Sequence, residues 1–167
     1  MTRRLINARR ASMFATRNWI SMEEILSHTA TRIALSTSGI FFMIGLITGV
    51  WKYLCMRRHQ RAEAPHYVNI AHRAALMYAF SAQLLAVFAA ISAFSDLVNT
   101  IAVIPPLLFF GIAIVHYVQL GLTTDSNNSL RDSPDKAKDY LILNILAVAE
   151  IGGFSVILCG FFVRLFA

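Results

Sequence analysis

Charged residues are scarce in this chain of 167 residues. Asp, Glu, Lys and Arg together make up 14% of it, whereas 57% is hydrophobic. This balance lies outside the range of soluble globular domains. The composition is typical of a membrane protein if its apolar stretches are long enough, since a helix needs about 20 apolar residues to cross the hydrocarbon core of a bilayer.

Four stretches meet that length: Ile33–Trp51, Ala74–Phe94, Ile101–Leu122 and Tyr140–Val163. None alternates between apolar and polar residues, as the strands of a membrane barrel would. The sequence therefore predicts an all-α integral membrane protein, a four-transmembrane-helix up-down bundle. We expect a basic N-terminal tail over residues 1–32 and a transmembrane domain over 33–167, with helices at about 33–56, 71–94, 101–123 and 134–166.

Two prolines and one serine suggest helix starts. We expect Pro105 and Pro106 near the start of the third helix, where a missing N–H group costs least. Ser133 is the expected N-cap of the fourth helix, with Pro134 as its first residue.

Motifs of soluble enzymes are also missing. The sequence contains no serine or cysteine nucleophile motif, no glycine-rich phosphate loop and no HExxH. His59, His66 and His72 do not have the spacing of a zinc site. Cys55 and Cys159 would lie at opposite membrane faces in an up-down bundle, so we expect two free thiols. These absences lead us to expect a protein that is not an enzyme and has no metal site.

The net charge of +6 comes from basic residues in two regions. One is the tail, which has five arginines before residue 18 and no acid before Glu23. The other follows the first apolar stretch. We interpret these charges as topology signals and lipid-head contacts, and expect no nucleic-acid binding. The residues expected at the membrane interface are Trp51, Lys52, Tyr53, Arg57, Arg58 and Arg73.

The composition of the tail decides neither which membrane contains the protein nor how the protein is oriented in it. Residues 1–21 have the arginine-rich, acid-free composition of a mitochondrial transit peptide, but also that of an ordinary bacterial cytoplasmic tail, which we favour. The bacterial inner membrane is therefore expected, with the mitochondrial inner membrane as the alternative. Basic residues close to the apolar stretches place both longer loops in the cytoplasm, but counting the whole tail nearly balances the two sides.

A few polar side chains fall inside the apolar stretches. Counted at 1.5 Å per residue from the membrane surface on the side of the two longer loops, Tyr78 and His116 lie about 7–9 Å deep, and Gln83 and Glu150 about 14–15 Å deep. Glu150 shares a helix face with Ala147 and Gly153, which suggests that it faces inward. We predict a buried polar site formed by Glu150, His116, Tyr78 and Gln83. Two interpretations remain: a functional site, or a protonated acid that only links helices.

Small residues indicate where helices pack closely. Gly45 and Gly49 form a GxxxG pair, and Ala82, Ala86 and Ala90 lie on one stripe. In lipid such residues let helix backbones approach each other. We therefore expect both sets to form packing surfaces.

Two segments carry a family resemblance. IAHRAALM places His72 and Arg73 at a helix start, and HYVQLGLTTD contains His116, Gly121 and Asp125. In these features the chain resembles the haem b membrane-anchor subunits of succinate dehydrogenase and fumarate reductase. The resemblance implies that His116 is an axial haem ligand and that Arg73 lies near quinone or the propionates. The family's second histidine in this segment is replaced here, and the first helix is additional. A partner subunit would then supply the other ligand.

These observations support three hypotheses on function. The first is a non-enzymatic accessory or scaffold subunit of a larger membrane assembly, which contacts lipids and either a partner protein or further copies of itself. The second is an electron- or proton-transfer subunit that binds b-type haem or quinone through His116. The third is a small transporter or channel that uses Glu150, against which the absence of internal repeats counts.

Overall fold

The computed structural model describes residues 22–124 and 126–167, and the described part folds into six helices without a strand. Their bounds are α1 Met22–Ser27, α2 Thr29–Arg58, α3 His66–Ala90, α4 Asp96–Thr123, α5 Ser129–Asp132 and α6 Lys136–Phe166. Helices α2, α3, α4 and α6 are each long and apolar enough to cross a membrane. The predicted helical fold with four such helices is confirmed. The segment 1–21 and Asp125 lie outside the described residues.

The four long helices run alternately up and down. At one end, the backbone N–H groups of Thr29 and Ala30 donate to the carboxylate of Asp96, at 3.0 and 3.2 Å, so α2 and α4 begin side by side. At the other end, the N–H of Ser129 donates to the hydroxyl of Tyr67 at 2.6 Å. The loops that follow α2 and α4 therefore meet at one end of the bundle, which we call the loop end.

Helix α4 begins earlier than predicted. Ser95 is its N-cap and accepts a hydrogen bond from the N–H of Val98 at 3.4 Å. The expected position of Pro105 and Pro106 near the helix start is therefore wrong, because both lie inside α4. The hydropathy pattern missed the first turn because that turn is partly polar.

The remaining helix bounds differ from the prediction by a few residues. Helix α2 begins at Thr29, within the segment expected to be tail, and α3 begins at His66, directly after Pro65. The expected N-cap at Ser133 is wrong. Asp135 caps α6 instead, because its carboxylate accepts from the N–H of Lys138 at 3.0 Å.

The carboxylate of Asp96 stabilises a helix other than its own. His28, at the N-cap position of α2, makes no side-chain capping bond. Asp96 from α4 takes that role and places a negative charge at the positive end of the α2 dipole. The contact ties the starts of α2 and α4 together.

We expect Asp96→Ala to lower the free energy of unfolding by about 1 kcal/mol, the usual effect of a lost cap. The measurement is chemical unfolding in detergent, followed by circular dichroism. Asp132→Ala is the control, because among the described residues its carboxylate bonds only to the nearby Ser126 and Arg131. Equal losses in the two variants would contradict a capping role for Asp96.

Helix α3 lies at the centre and packs against α2, α4 and α6. Its buried face consists largely of alanine, including Ala82 and Ala86 but not the half-buried Ala90. On α2, a Cβ atom at Gly45 would lie 2.6 Å from Cδ2 of Leu76, and one at Gly49 would lie 3.0 Å from the His72 ring. The predicted packing role of this GxxxG pair is confirmed.

Helix α6 approaches α4 at Pro105 and Pro106, which we call the proline step. Because Pro106 has no N–H, it cannot donate to the carbonyl oxygen of Ala102 one turn earlier. Gly153 lies directly over this place: a Cβ there would press on the Ala102 oxygen and come within 2.7 Å of Cγ of Pro106. Only a glycine lets α6 pack this closely, so Gly153 fixes the contact between α4 and α6.

Candidate functional site: a cleft between α2 and α6

A cleft of about 950 Å³ opens between α2 and α6, with α4 as its floor. It exists because α2 and α6 each pack against α3 and α4 while leaving a gap between themselves. The residues lining its walls are Ile33, Thr37 and Phe41 on α2 and Asp139, Ile142, Leu143 and Leu146 on α6. Its mouth faces the outside of the bundle.

The cleft is long and has one polar end. Its floor extends from Ile104 to Gln119, a distance of about 22 Å at 1.5 Å per residue. His116, Gln119 and Asp139 line the part near the loop end, and most of the remaining lining is apolar. This arrangement suits an elongated molecule with a polar head and an apolar body.

Asp139 is the one carboxylate among the residues that line the cleft. It lies in the first turn of α6, and its Oδ2 atom is buried with no hydrogen-bond partner among the described residues. Asp132, in the short helix α5 nearby, is different: its carboxylate is 2.8 Å from Nε of Arg131, and this hydrogen bond keeps the pKa of Asp132 below its ordinary range. Asp139 thus brings to the polar end of the cleft a carboxylate that no described residue neutralises or bonds at Oδ2.

Sequence reasoning missed Asp139 and the cleft. The residue follows a polar loop, and its position next to Tyr140 made it look like part of a solvated segment. The available signal was helical spacing: Asp139, Leu146, Glu150 and Gly153 fall on one stripe of α6. Gly153 marks that stripe as the packed one, so Asp139 faces the bundle as well.

The four residues predicted to form one buried polar site do not come together. Gln83 is exposed on the outer face of α3, beside Met77 and Phe80. His116 opens into the cleft. The prediction of a single inward cluster is wrong for these two residues, because the sequence fixes their depth but not the rotation of their helices.

Tyr78 and Glu150 do lie on neighbouring surfaces of the bundle. Tyr78 is half-buried and stacks on Phe110, with ring centroids 4.4 Å apart. Glu150 lies near Tyr78, and its buried Oε1 atom has no hydrogen-bond partner among the described residues. The inward orientation expected for Glu150 is therefore observed.

His72 and His116 do not share a cavity. The Nδ1 atom of His72 is 2.9 Å from the carbonyl oxygen of Gly45, and the ring lies against Gly49. Among the residues lining the cleft, His116 is the one histidine. These two histidines therefore do not form the pair of axial ligands that a six-coordinate haem needs.

The residues expected at the membrane interface lie near the loop end. Tyr53, Arg57, Arg58 and Arg73 are exposed, and Lys52 is half-exposed. Trp51 differs, because its ring packs into the bundle. A Cβ atom at Gly121 would lie 2.9 Å from its Cη2 atom and 3.2 Å from the backbone nitrogen of Val68. Packing therefore accounts for Gly121, one of the residues that carry the family resemblance.

Comparisons of the chain with protein-family models, with curated proteins and with solved structures found no match. The resemblance to haem b anchor subunits therefore stays a prediction from a few residues. The function has to be argued from the geometry of the bundle.

Proposed function

We propose that the protein is a non-enzymatic integral membrane protein that serves as an accessory subunit of a larger membrane assembly. Large apolar side chains are exposed on all four long helices, for example Ile40, Phe80, Leu108 and Val148. A soluble monomer rarely exposes so much apolar surface, whereas lipid covers it without cost. We favour the bacterial inner membrane, because the arginine-rich segment 1–21 has the composition of an ordinary bacterial tail.

The observation that carries the proposal is how little of α6 its own chain covers. In its most apolar stretch, 6% of the residues are buried, compared with 39% in α4. The inner stripe of α6 makes contact at Gly153, Ile157 and Gly160, and most of the side chains on its other faces are exposed. Helix α6 is thus attached to the bundle along one narrow face.

The outward face of α6 has the composition of a helix contact. Gly152, Ser155 and Cys159 are exposed there and recur at helical spacing. Small residues gain nothing from facing lipid, but they let a second helix come close. The occupant of this face is therefore a transmembrane helix of another subunit, either a different protein or a second copy of this chain.

The native thiol of Cys159 offers a direct test. We expect a benzophenone maleimide on Cys159, in a Cys55→Ser background, to form a covalent product with another polypeptide on illumination in native membranes. Gly152→Leu should reduce that product about tenfold, because a bulky side chain separates the two helices. A probe on a cysteine introduced at Gly39 of α2, where a side chain meets open space, should label lipid alone. Labelling of lipid alone from Cys159 would contradict the proposal.

A second candidate function follows from the exposure of His116 in the cleft. In this hypothesis the protein is an electron- or proton-transfer subunit that binds b-type haem or quinone. This chain would supply His116 as one ligand or hydrogen-bond partner, and a six-coordinate haem would need its other ligand from a second subunit.

A reduced-minus-oxidised absorption spectrum of the purified protein tests the hypothesis that it binds haem. The hypothesis predicts a Soret band and an α-band that disappear in His116→Ala. They should persist in His66→Ala, because His66 is exposed and lies outside the cleft. A colourless preparation, or bands unchanged in His116→Ala, would rule out haem bound by His116.

A further inference from the structure

The cleft combines two features that the proposed subunit role leaves unexplained. It is about 22 Å long and mostly apolar, and it ends at a buried carboxylate oxygen of Asp139 without a partner among the described residues. A cleft that only received lipid chains would not need a carboxylate. A site for a polar solute would not need such a long apolar body.

We infer that the cleft binds a lipid alcohol, an amphiphile with a long apolar chain and an uncharged head that carries a hydroxyl group. The inference rests on the proposed insertion in a membrane. The head lies between His116, Gln119 and Asp139 near the loop end, and the chain extends along α4 towards Ile104.

The chemistry of the head follows from the three polar side chains. The unpartnered oxygen of the Asp139 side chain is a hydrogen-bond acceptor, so we expect the head to donate to this carboxyl group. A phosphate or carboxylate head would instead place a second negative charge beside it. Gln119 both donates and accepts, and His116 does one or the other at each ring nitrogen. A hydroxyl group satisfies all three partners, because it donates one hydrogen bond and accepts others.

The size and lining of the cleft suit a slender apolar chain. Its volume of about 950 Å³ lies within the range of small-molecule pockets. We therefore place a partner helix on the outer face of α6 and a slender chain in the cleft.

The shared chemistry, a hydroxyl group on a long apolar chain, occurs in both acylglycerols and isoprenoid alcohols. The test uses the protein in phosphatidylcholine nanodiscs and two probes, a fatty alcohol with a photoreactive diazirine in its chain and the methyl ether of that alcohol. Labelled peptides are identified by mass spectrometry. Competition with a monoacylglycerol or a polyprenol identifies which of the two sources the cleft prefers.

We expect the alcohol to label peptides from the cleft walls about tenfold more strongly than the ether, which is the effect of one hydrogen bond to a charged group. Asp139→Ala should abolish this preference while the protein stays folded, because it removes a carboxylate without a partner. Ala113→Leu should weaken labelling by both probes, since Ala113 lines the cleft. Gly152→Leu, on the outer face of α6, should leave labelling unchanged.

Equal labelling of the wild type by alcohol and ether would overturn the inference. Labelling of the cleft walls that is as strong in Ala113→Leu as in the wild type would also overturn it. If phosphatidic acid displaced the probe as readily as monoacylglycerol does, the claim that the head of the bound molecule is uncharged would be overturned. Each of these results leaves cross-linking through Cys159 untouched. Loss of that cross-link with normal alcohol labelling would instead overturn the accessory-subunit role alone.

Discussion

Replacing Gly153 by alanine is expected to destabilise the protein by about 2 kcal/mol. The new Cβ would press on the carbonyl oxygen of Ala102 and on the ring of Pro106. Neither can turn aside, because one is backbone and the other is a closed ring. We take a steric cost of about 3 kcal/mol, reduced by the gain of about 1 kcal/mol when alanine replaces glycine in a helix.

The neighbouring glycine provides the matched control. A Cβ at Gly152 would meet no atom within 4 Å. Gly152→Ala should therefore keep the helix-propensity gain and stabilise the protein by up to about 1 kcal/mol. Chemical unfolding of the single chain, in a detergent that releases the partner subunit, measures both variants by circular dichroism. If the two substitutions have the same effect, α6 does not pack on the proline step of α4.

Replacing Gly45 by leucine is expected to cost about 3 kcal/mol or more, the upper range for overpacking. A Cβ at Gly45 would lie 2.6 Å from Cδ2 of Leu76 and 3.4 Å from its backbone nitrogen, so the rest of a leucine side chain has no room. The substitution should also separate the Gly45 carbonyl from Nδ1 of His72, which lie 2.9 Å apart. Two interhelical contacts are lost together.

Gly39→Leu is the control on the same helix, because a Cβ at Gly39 meets no atom within 4 Å. It adds the same side chain to α2 at a place that faces away from the bundle. We expect its unfolding curve to match that of the wild type. A loss of stability equal to that of Gly45→Leu would show that leucine disturbs α2 itself and not its packing on α3.

The number and direction of the long helices could be predicted from the sequence because they depend on hydropathy and length alone. The helix starts could not. The first turn of α4 contains polar residues that hydropathy counts as loop, yet Asn99 is buried there and its Nδ2 atom donates to the carbonyl of Phe94 at 3.1 Å. The capping contact of Asp96 could not be predicted either, because the helix that it caps is distant in sequence.

The candidate site could be predicted only in part. Depth along a helix follows from counting residues, so Glu150 and Tyr78 were placed at suitable levels and lie on neighbouring surfaces. The rotation of each helix depends on packing that no count provides. Gln83 consequently lies on the outer face and His116 in the cleft. The cleft itself arises from how α2 and α6 pack on α3 and α4, which is a property of the whole bundle.

The most direct test of the account is the mass of the protein released from its native membrane in mild detergent, measured by native mass spectrometry. The account predicts an assembly heavier than the 18.6 kDa chain, and a single chain for Gly152→Leu. The excess mass distinguishes a second copy from a different subunit. A single 18.6 kDa chain in the wild type, with all four helices folded, would contradict the claim that the outer face of α6 binds a partner.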